Sequence, residues 1–300
     1  MKIIITGGSG FVGSNLATCL LERGHQIIAI GRSEPRHQSD RENYRFITAD
    51  TTGKGPWQKE LADADAVVNL AGTSIFRRWT KKYKKQIYDS RILTTRNVVE
   101  ALPSDTNLTL CSASGAGYYG SRGDDILKED ESAGSDFLAG VSKDWEQEAM
   151  RASAKGVRVA IMRFGVILGK NGGAMSKLIP PFKMFVGGPL GDGNQWFPWL
   201  HLDDLMAAIE FVLDHQEVSG PLNFCGPDPV RNRELAQALG DALGRPSFMP
   251  APAFMIRLVT GEFGDVFLGS QRTLPDKPLN HGFSFKYPEI KGAIEAIVAQ

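Results

Sequence analysis

The chain has 300 residues and carries 34 Lys plus Arg against 34 Asp plus Glu, a formal net charge of zero. That balance excludes a general nucleic-acid binder, which needs a basic surplus to displace counterions from phosphates. Polar residues break every apolar stretch well short of the roughly 20 residues that a membrane span requires. In chain order, the apolar pattern predicts strands over 2–6, 26–30, 44–49, 65–70, 108–112 and 157–164. Helices are predicted over 13–23, 87–102 and 142–154. Short strands alternating with longer helices define βαβ units and a parallel sheet. The expected fold is therefore α/β, a Rossmann-type doubly wound parallel sheet over 1–168.

From residue 169 turn signals dominate, among them Pro180-Pro181 and Gly187-Gly188-Pro189. Helices over 202–213 and 233–243 flank a strand over 221–225, and a short helix over 290–298 ends the chain. This half, 169–300, is expected to form a smaller substrate-side region, partly interleaved with the first, with a tail domain over about 248–297. Asp203 is the expected N-cap of the 202–213 helix, with His201 a packed imidazole. Cys19, Cys111 and Cys225 are odd in number and far apart, so neither a disulfide framework nor a metal site is expected. The N-terminus runs straight into a strand, and a reducing, cytoplasmic setting is expected.

The sharpest motif is Thr6-Gly7-Gly8-Ser9-Gly10-Phe11-Val12-Gly13, which follows a strand and opens a helix. Gly7 permits the tight turn, Gly10 the approach of backbone to a pyrophosphate, and Gly13 close packing of helix on strand. The helix N-terminus then offers open N–H groups to the anion. An NAD enzyme usually carries an acid at the end of the second strand. Here the chain reads Ile30-Gly31-Arg32-Ser33. A guanidinium at Arg32, assisted by Arg36, pairs with a 2′-phosphate, so NADP (NADPH) is expected over NAD.

The glycine pattern, Asp50 after the third strand and Asn69-Leu70-Ala71-Gly72 after the fourth together resemble an extended short-chain dehydrogenase/reductase. Ser112-Ala113-Ser114-Gly115-Ala116-Gly117-Tyr118-Tyr119-Gly120, Asp144-Trp145-Glu146 and the tail motifs Gly261-Glu262-Phe263 and Ser270-Gln271-Arg272 resemble one branch of it, the nucleoside-diphosphate-sugar epimerase-like "epimerase family" proteins. The resemblance implies that Asp50 lies near the adenine and that Leu70, Ala71 and Gly72 line the cofactor. It also implies that Arg91 touches phosphate or substrate.

For catalysis the resemblance implies a Ser after the fifth strand and Tyr-x-x-x-Lys on the next helix. The Tyr moves a proton, and the Lys lowers its pKa and holds the nicotinamide ribose. Ser114 and Lys143 fill two of these places, but the Tyr position is Ala139, which cannot shuttle a proton. Tyr118 or Tyr119 can supply the phenol from the same loop instead, or wall the nicotinamide pocket without chemistry. The basic run 77–85 can receive an acidic group or be a solvated face. Trp196 and Trp199 are candidates to stack on a base or sugar, and Glu262, Gln271 and Arg272 are candidate substrate contacts. The expected activity is an NADP-dependent oxidoreductase or nucleotide-sugar epimerase-like reaction with an atypical catalytic set. The alternative is an NADP(H)-binding sensor without turnover. The expected partner is a small molecule, with nucleotide sugars implied by the family label, and the chain is expected to be a monomer or homodimer.

Overall fold

The computed structural model describes residues 1–34, 41–170 and 172–299. Arg36 lies outside the described residues. Seven strands form the central sheet: β1 (Lys2–Thr6), β2 (Gln26–Gly31), β3 (Tyr44–Thr48), β4 (Ala66–Asn69), β5 (Thr109–Gly115), β6 (Arg158–Phe164) and β7 (Gly220–Phe224). Their order is β7-β6-β5-β4-β1-β2-β3, and every pairing is parallel. The order reverses between β1 and β4, and that switch point opens a crevice at the carboxyl ends of the strands.

Both faces are covered, which is why the strands read as nearly continuous apolar runs such as Ile3-Ile4-Ile5. On one face α1 (Phe11–Glu22) buries Leu16 and Leu20 beside Ile3 and Ile5. On the other, α2 (Lys81–Ala101) and α3 (Phe137–Met150) pack together, with Val98, Val99 and Ala149 against Ile4, Val67 and Leu110. α2 begins six residues before its apolar pattern, because the Thr80 side chain accepts the Tyr83 N–H and caps a polar first turn. α3 likewise begins early, at the Asp136 cap, whose carboxylate accepts the Ala139 N–H at 2.9 Å.

The boundary expected at 168 cuts the sheet, since β7 comes from residues 220–224 and pairs with β6. Local pattern marks a strand but not its neighbour. Beyond β6, α4 (Met175–Lys183) forms in spite of Pro180 and Pro181, where turns were expected. α5 (Leu202–Asp214) joins α1 on the first face, while α6 (Asn232–Leu243) packs with the helix Ile290–Ala299 around Trp199, Leu235 and Ile294. α7 (Ala253–Thr260) and the short helix Gly264–Leu268 follow, and Arg272–Thr273 then pairs with Ile126–Leu127, tying the tail over the crevice. Among the described residues no helix is long and apolar enough to cross a membrane. All three cysteines are free, and burial pushes the Cys111 and Cys225 thiols up to about 12.

One cap differs from the sequence expectation. His201, not Asp203, caps α5: its Nδ1 accepts the Asp203 N–H at 3.0 Å, so the ring must be neutral. Burial pulls the imidazole pKa below its ordinary 6.5, against the opposing charge of Asp203. A depressed folded pKa lends stability that is full above 6.5 and is lost as pH falls through the folded value. The thermal midpoint is therefore expected to drop between about pH 7.5 and about pH 5.5 by more in the wild type than in His201→Asn, whose amide caps without titrating. Equal drops in the two proteins would remove His201 from the acid response.

Candidate active site

The glycine loop connects β1 to α1. Gly7 has φ +71°, and a Cβ there would stand 2.9 Å from the Leu70 carbonyl carbon. A Cβ on Gly13 would lie 2.4 Å from the Gly7 oxygen, so α1 packs on the loop only because that position is bare. Gly10 is the N-cap of α1 and no side chain caps the helix, which leaves first-turn N–H groups for a ligand. This cradle opens on a cleft of about 210 Å³ lined by Gly7, Ser9, Gly10, Arg32, Asp50, Leu70, Ala71 and Gly72. The bare backbone, the uncapped helix and the cleft fit a dinucleotide. Thr6, expected to touch the cofactor, instead lies behind the loop with no exposure. Its hydroxyl donates to Asn69 Oδ1 at 2.7 Å, tying β1 to β4.

Asp50 accepts the backbone and hydroxyl hydrogens of Thr52 at 3.0 and 2.7 Å. Those bonds hold its carboxyl below the usual range, and Arg32 adds to the effect. Among the described residues it is the single carboxylate lining this cleft, and exposed Arg32 stands at the rim.

A second chamber of about 790 Å³ adjoins the first at the start of α1, with Gly10 facing one and Phe11 the other. Phe11, Val12, Arg91 and Ser114 line it, joined by Trp79, Phe137, Leu138, Val141, Ser142 and Trp145, and by Glu262, Asp265 and Gln271 from the tail. Arg91 donates from one nitrogen to the Thr73 and Ile87 carbonyls and lies 5.2 Å from the Trp145 ring. Burial pushes its guanidinium down to about 10.

The expected catalytic residues divide. Ser114 is inside β5 rather than after it, and its hydroxyl donates to Glu146 Oε1 at 2.7 Å. Glu146 is gripped by Arg163, through Nε at 2.9 Å and Nη2 at 2.8 Å. Lys143 is corrected: it is exposed and absent from the chamber wall. α3 presents Leu138, Val141, Ser142 and Trp145 to the chamber, the i, i+3, i+4, i+7 face, whereas Ala139 is fully buried against the core. Counting to 139 and 143 lands one residue, about 100°, off that face.

Neither tyrosine lines the second chamber. Tyr119 has no exposure; its hydroxyl donates to Asn223 Oδ1 at 2.7 Å and accepts from Arg163 at 2.9 Å. Burial raises its pKa far above the ordinary phenol value, in the wrong direction for a proton donor near neutrality. Tyr118 lies with its ring 3.6 Å from the Arg163 guanidinium carbon, edge-on to Tyr119, and is also absent from the wall. Trp199 is core, and Trp196 is sandwiched between Arg231 and Arg272, so neither faces the chamber. Glu146 was overlooked as a site residue; the i, i+4 spacing of Ser142 and Glu146 on a helix beside Ser114 was the available signal.

A seven-stranded parallel sheet with a bare glycine cradle at its switch point defines a Rossmann-type nucleotide-binding protein. Residues 3–224 match the model of the NAD dependent epimerase/dehydratase family, and residues 251–297 match a domain of unknown function, DUF1731. The chain belongs to the NAD dependent epimerase/dehydratase family. It is 40% identical to the "epimerase family protein SDR39U1 homolog, chloroplastic" of Arabidopsis thaliana, over 99% of this chain and 87% of that one. The crystal structure of human epimerase family protein SDR39U1 (isoform2) with NADPH superimposes with a TM-score of 0.86 at 30% identity, covering 100% of this chain and 99% of that one. A nucleoside-diphosphate sugar epimerase from Corynebacterium glutamicum gives a TM-score of 0.79 at 34% identity, covering 99% of this chain and 58% of that one.

Proposed function

We propose that this chain is an NADPH-dependent oxidoreductase that acts on a carbonyl or alcohol in the second chamber. The observation that carries the reading is the cleft rim, where Arg32 follows the end of β2 at the place an NAD enzyme gives to an acid. A carboxylate there would repel a 2′-phosphate, and a guanidinium binds one through charge-assisted hydrogen bonds. The solved relative with NADPH supports the same cofactor. Gly7, Gly10 and Gly13 with the first turn of α1 would hold the pyrophosphate, and Asp50, Leu70, Ala71 and Gly72 would flank the nucleotide. Bound NADPH supplies a hydride. Ser114, whose hydroxyl hydrogen goes to Glu146, would accept a hydrogen bond from the substrate alcohol at the chamber wall, and on reduction the proton would come from water, since no tyrosine lines the wall among the described residues.

That same lack of a phenol favours a second reading, a cofactor-binding protein without turnover. Thermal unfolding with NADPH and with NADH tests the cofactor reading for both. A ligand at 100 times its Kd adds about 2.7 kcal/mol, enough for a plain shift in midpoint. Arg32→Ala is expected to weaken NADPH about 10- to 100-fold, the loss of a charged hydrogen bond, and to leave NADH nearly unchanged. An unaltered NADPH preference would reject Arg32 as the selector. Oxidation of NADPH by a panel of carbonyl compounds then separates an enzyme from a sensor.

A further inference from the structure

The second chamber is walled by carbon. Phe76, Trp79, Phe137, Leu138, Val141 and Trp145 form its broad surface. Trp79 meets Phe137 edge-on, with centroids 5.2 Å apart. Against this wall the charges are few, and most are already engaged within the protein. Two cations, Lys84 and Arg91, face three carboxylates, Asp136, Glu262 and Asp265. Lys84 is ion-paired with Glu262, and its ammonium lies 4.9 Å from the Phe137 centroid. Arg91 stands at the border with the dinucleotide cleft, its Cζ 3.1 Å from where a Gly72 Cβ would be. Asp265 is paired with Arg257, and Asp136 caps α3. The other cations of the basic run, Arg77, Arg78, Lys81, Lys82 and Lys85, are exposed and off the wall.

We infer that the substrate is an uncharged, flat, apolar carbonyl compound, an aryl ketone or aldehyde, and that the chamber rejects nucleoside diphosphates. The inference rests on the oxidoreductase reading above and narrows it to a substrate class. A nucleoside diphosphate brings at least two negative charges, and moving them out of water requires cations or donors that are still free. Here Lys84 is already neutralised by Glu262, Arg91 spends one nitrogen on the Thr73 and Ile87 carbonyls, and the Asp136 carboxylate opposes a further anion. A neutral aromatic ring meets the opposite situation: it is desolvated readily and finds edge and face partners in Trp79 and Phe137. In the reaction, the carbonyl carbon gains a hydride from NADPH and the oxygen gains a proton from water, leaving an alcohol and NADP⁺.

The test is calorimetric titration of the whole chain saturated with NADP⁺, which gives no hydride, so that binding is read without turnover. The probes are 2-acetylnaphthalene and UDP-glucose. The ketone is expected to bind in the micromolar range, about 10–100 µM, and UDP-glucose to give no heat at about 5 mM. Trp79→Ala is expected to weaken the ketone at least about tenfold, with its NADP⁺ heat unchanged as the control for folding. Binding of UDP-glucose comparable to the ketone, or binding of neither probe to a chain that holds NADP⁺, overturns the inference and leaves the cofactor reading standing. Absence of heat with NADP⁺ itself overturns the oxidoreductase reading instead, and this inference with it.

Discussion

Gly13→Ala is expected to lose nicotinamide dinucleotide binding by more than about 100-fold and to destabilise the fold by about 1–3 kcal/mol, the usual range for an overpacked position. The new methyl would sit 2.4 Å from the Gly7 oxygen and 2.9 Å from the Gly8 Cα, both backbone atoms that no rotamer change can clear. Helix α1 would have to move off the loop, carrying with it the N–H groups that face the cleft. Gly140→Ala is the matched control, since nothing lies within 4 Å of its Cβ at an exposed position near the start of α3. It should leave binding unchanged and raise stability by about 0.5–1 kcal/mol, the ordinary helical preference for alanine. A Gly13→Ala protein that still shows the wild-type NADPH midpoint shift would mean that the glycine loop is not the cofactor cradle.

The second large effect belongs to Glu146. Its carboxylate is the partner of Arg163, whose side chain is 2% exposed, and the acceptor for Ser114. Glu146→Ala leaves the guanidinium buried without an anion, which costs about 3–5 kcal/mol. Glu146→Gln keeps an acceptor for Ser114 and should cost less. Replacing both members, Glu146→Leu with Arg163→Met, is expected to recover much of the loss, because the uncompensated charge is then gone. Chemical denaturation of the wild type, Glu146→Leu, Arg163→Met and the double variant reads this directly. If the double variant is as unstable as the sum of the single ones, the buried pair is not what holds β5, β6 and α3 together at this corner. Loss of turnover in Glu146→Gln with cofactor binding intact would further show that Ser114 must be aimed to act.

Glu146 also illustrates why the site was only half legible in the sequence. The dinucleotide cradle lies within a span of eight residues, so its spacing is local chemistry: a strand, three bare positions and a helix start. Gly7 and Gly10 accordingly line the cleft, and Arg32, Asp50 and Gly72 join them because each follows the carboxyl end of a neighbouring parallel strand. The catalytic set depends on which way one helix is turned, and that is fixed elsewhere. The Asp136 cap starts α3 five residues before its apolar pattern, and packing against α2 rotates Leu138 and Ser142 inward and Lys143 outward.

The sequence by itself determined the alternation of strand and helix, the parallel sheet and the glycine loop, because period and turn chemistry are properties of neighbouring residues. Tertiary structure alone decided what reaches across the chain. Tyr119 looks available beside Ser114 until Asn223, 104 residues away, accepts its hydroxyl hydrogen bond in the core. Lys84 reads as one cation in a basic run until the tail brings Glu262 to neutralise it. In both cases a side chain's chemistry is set by a partner distant in sequence, and no local pattern records which partner folding will supply.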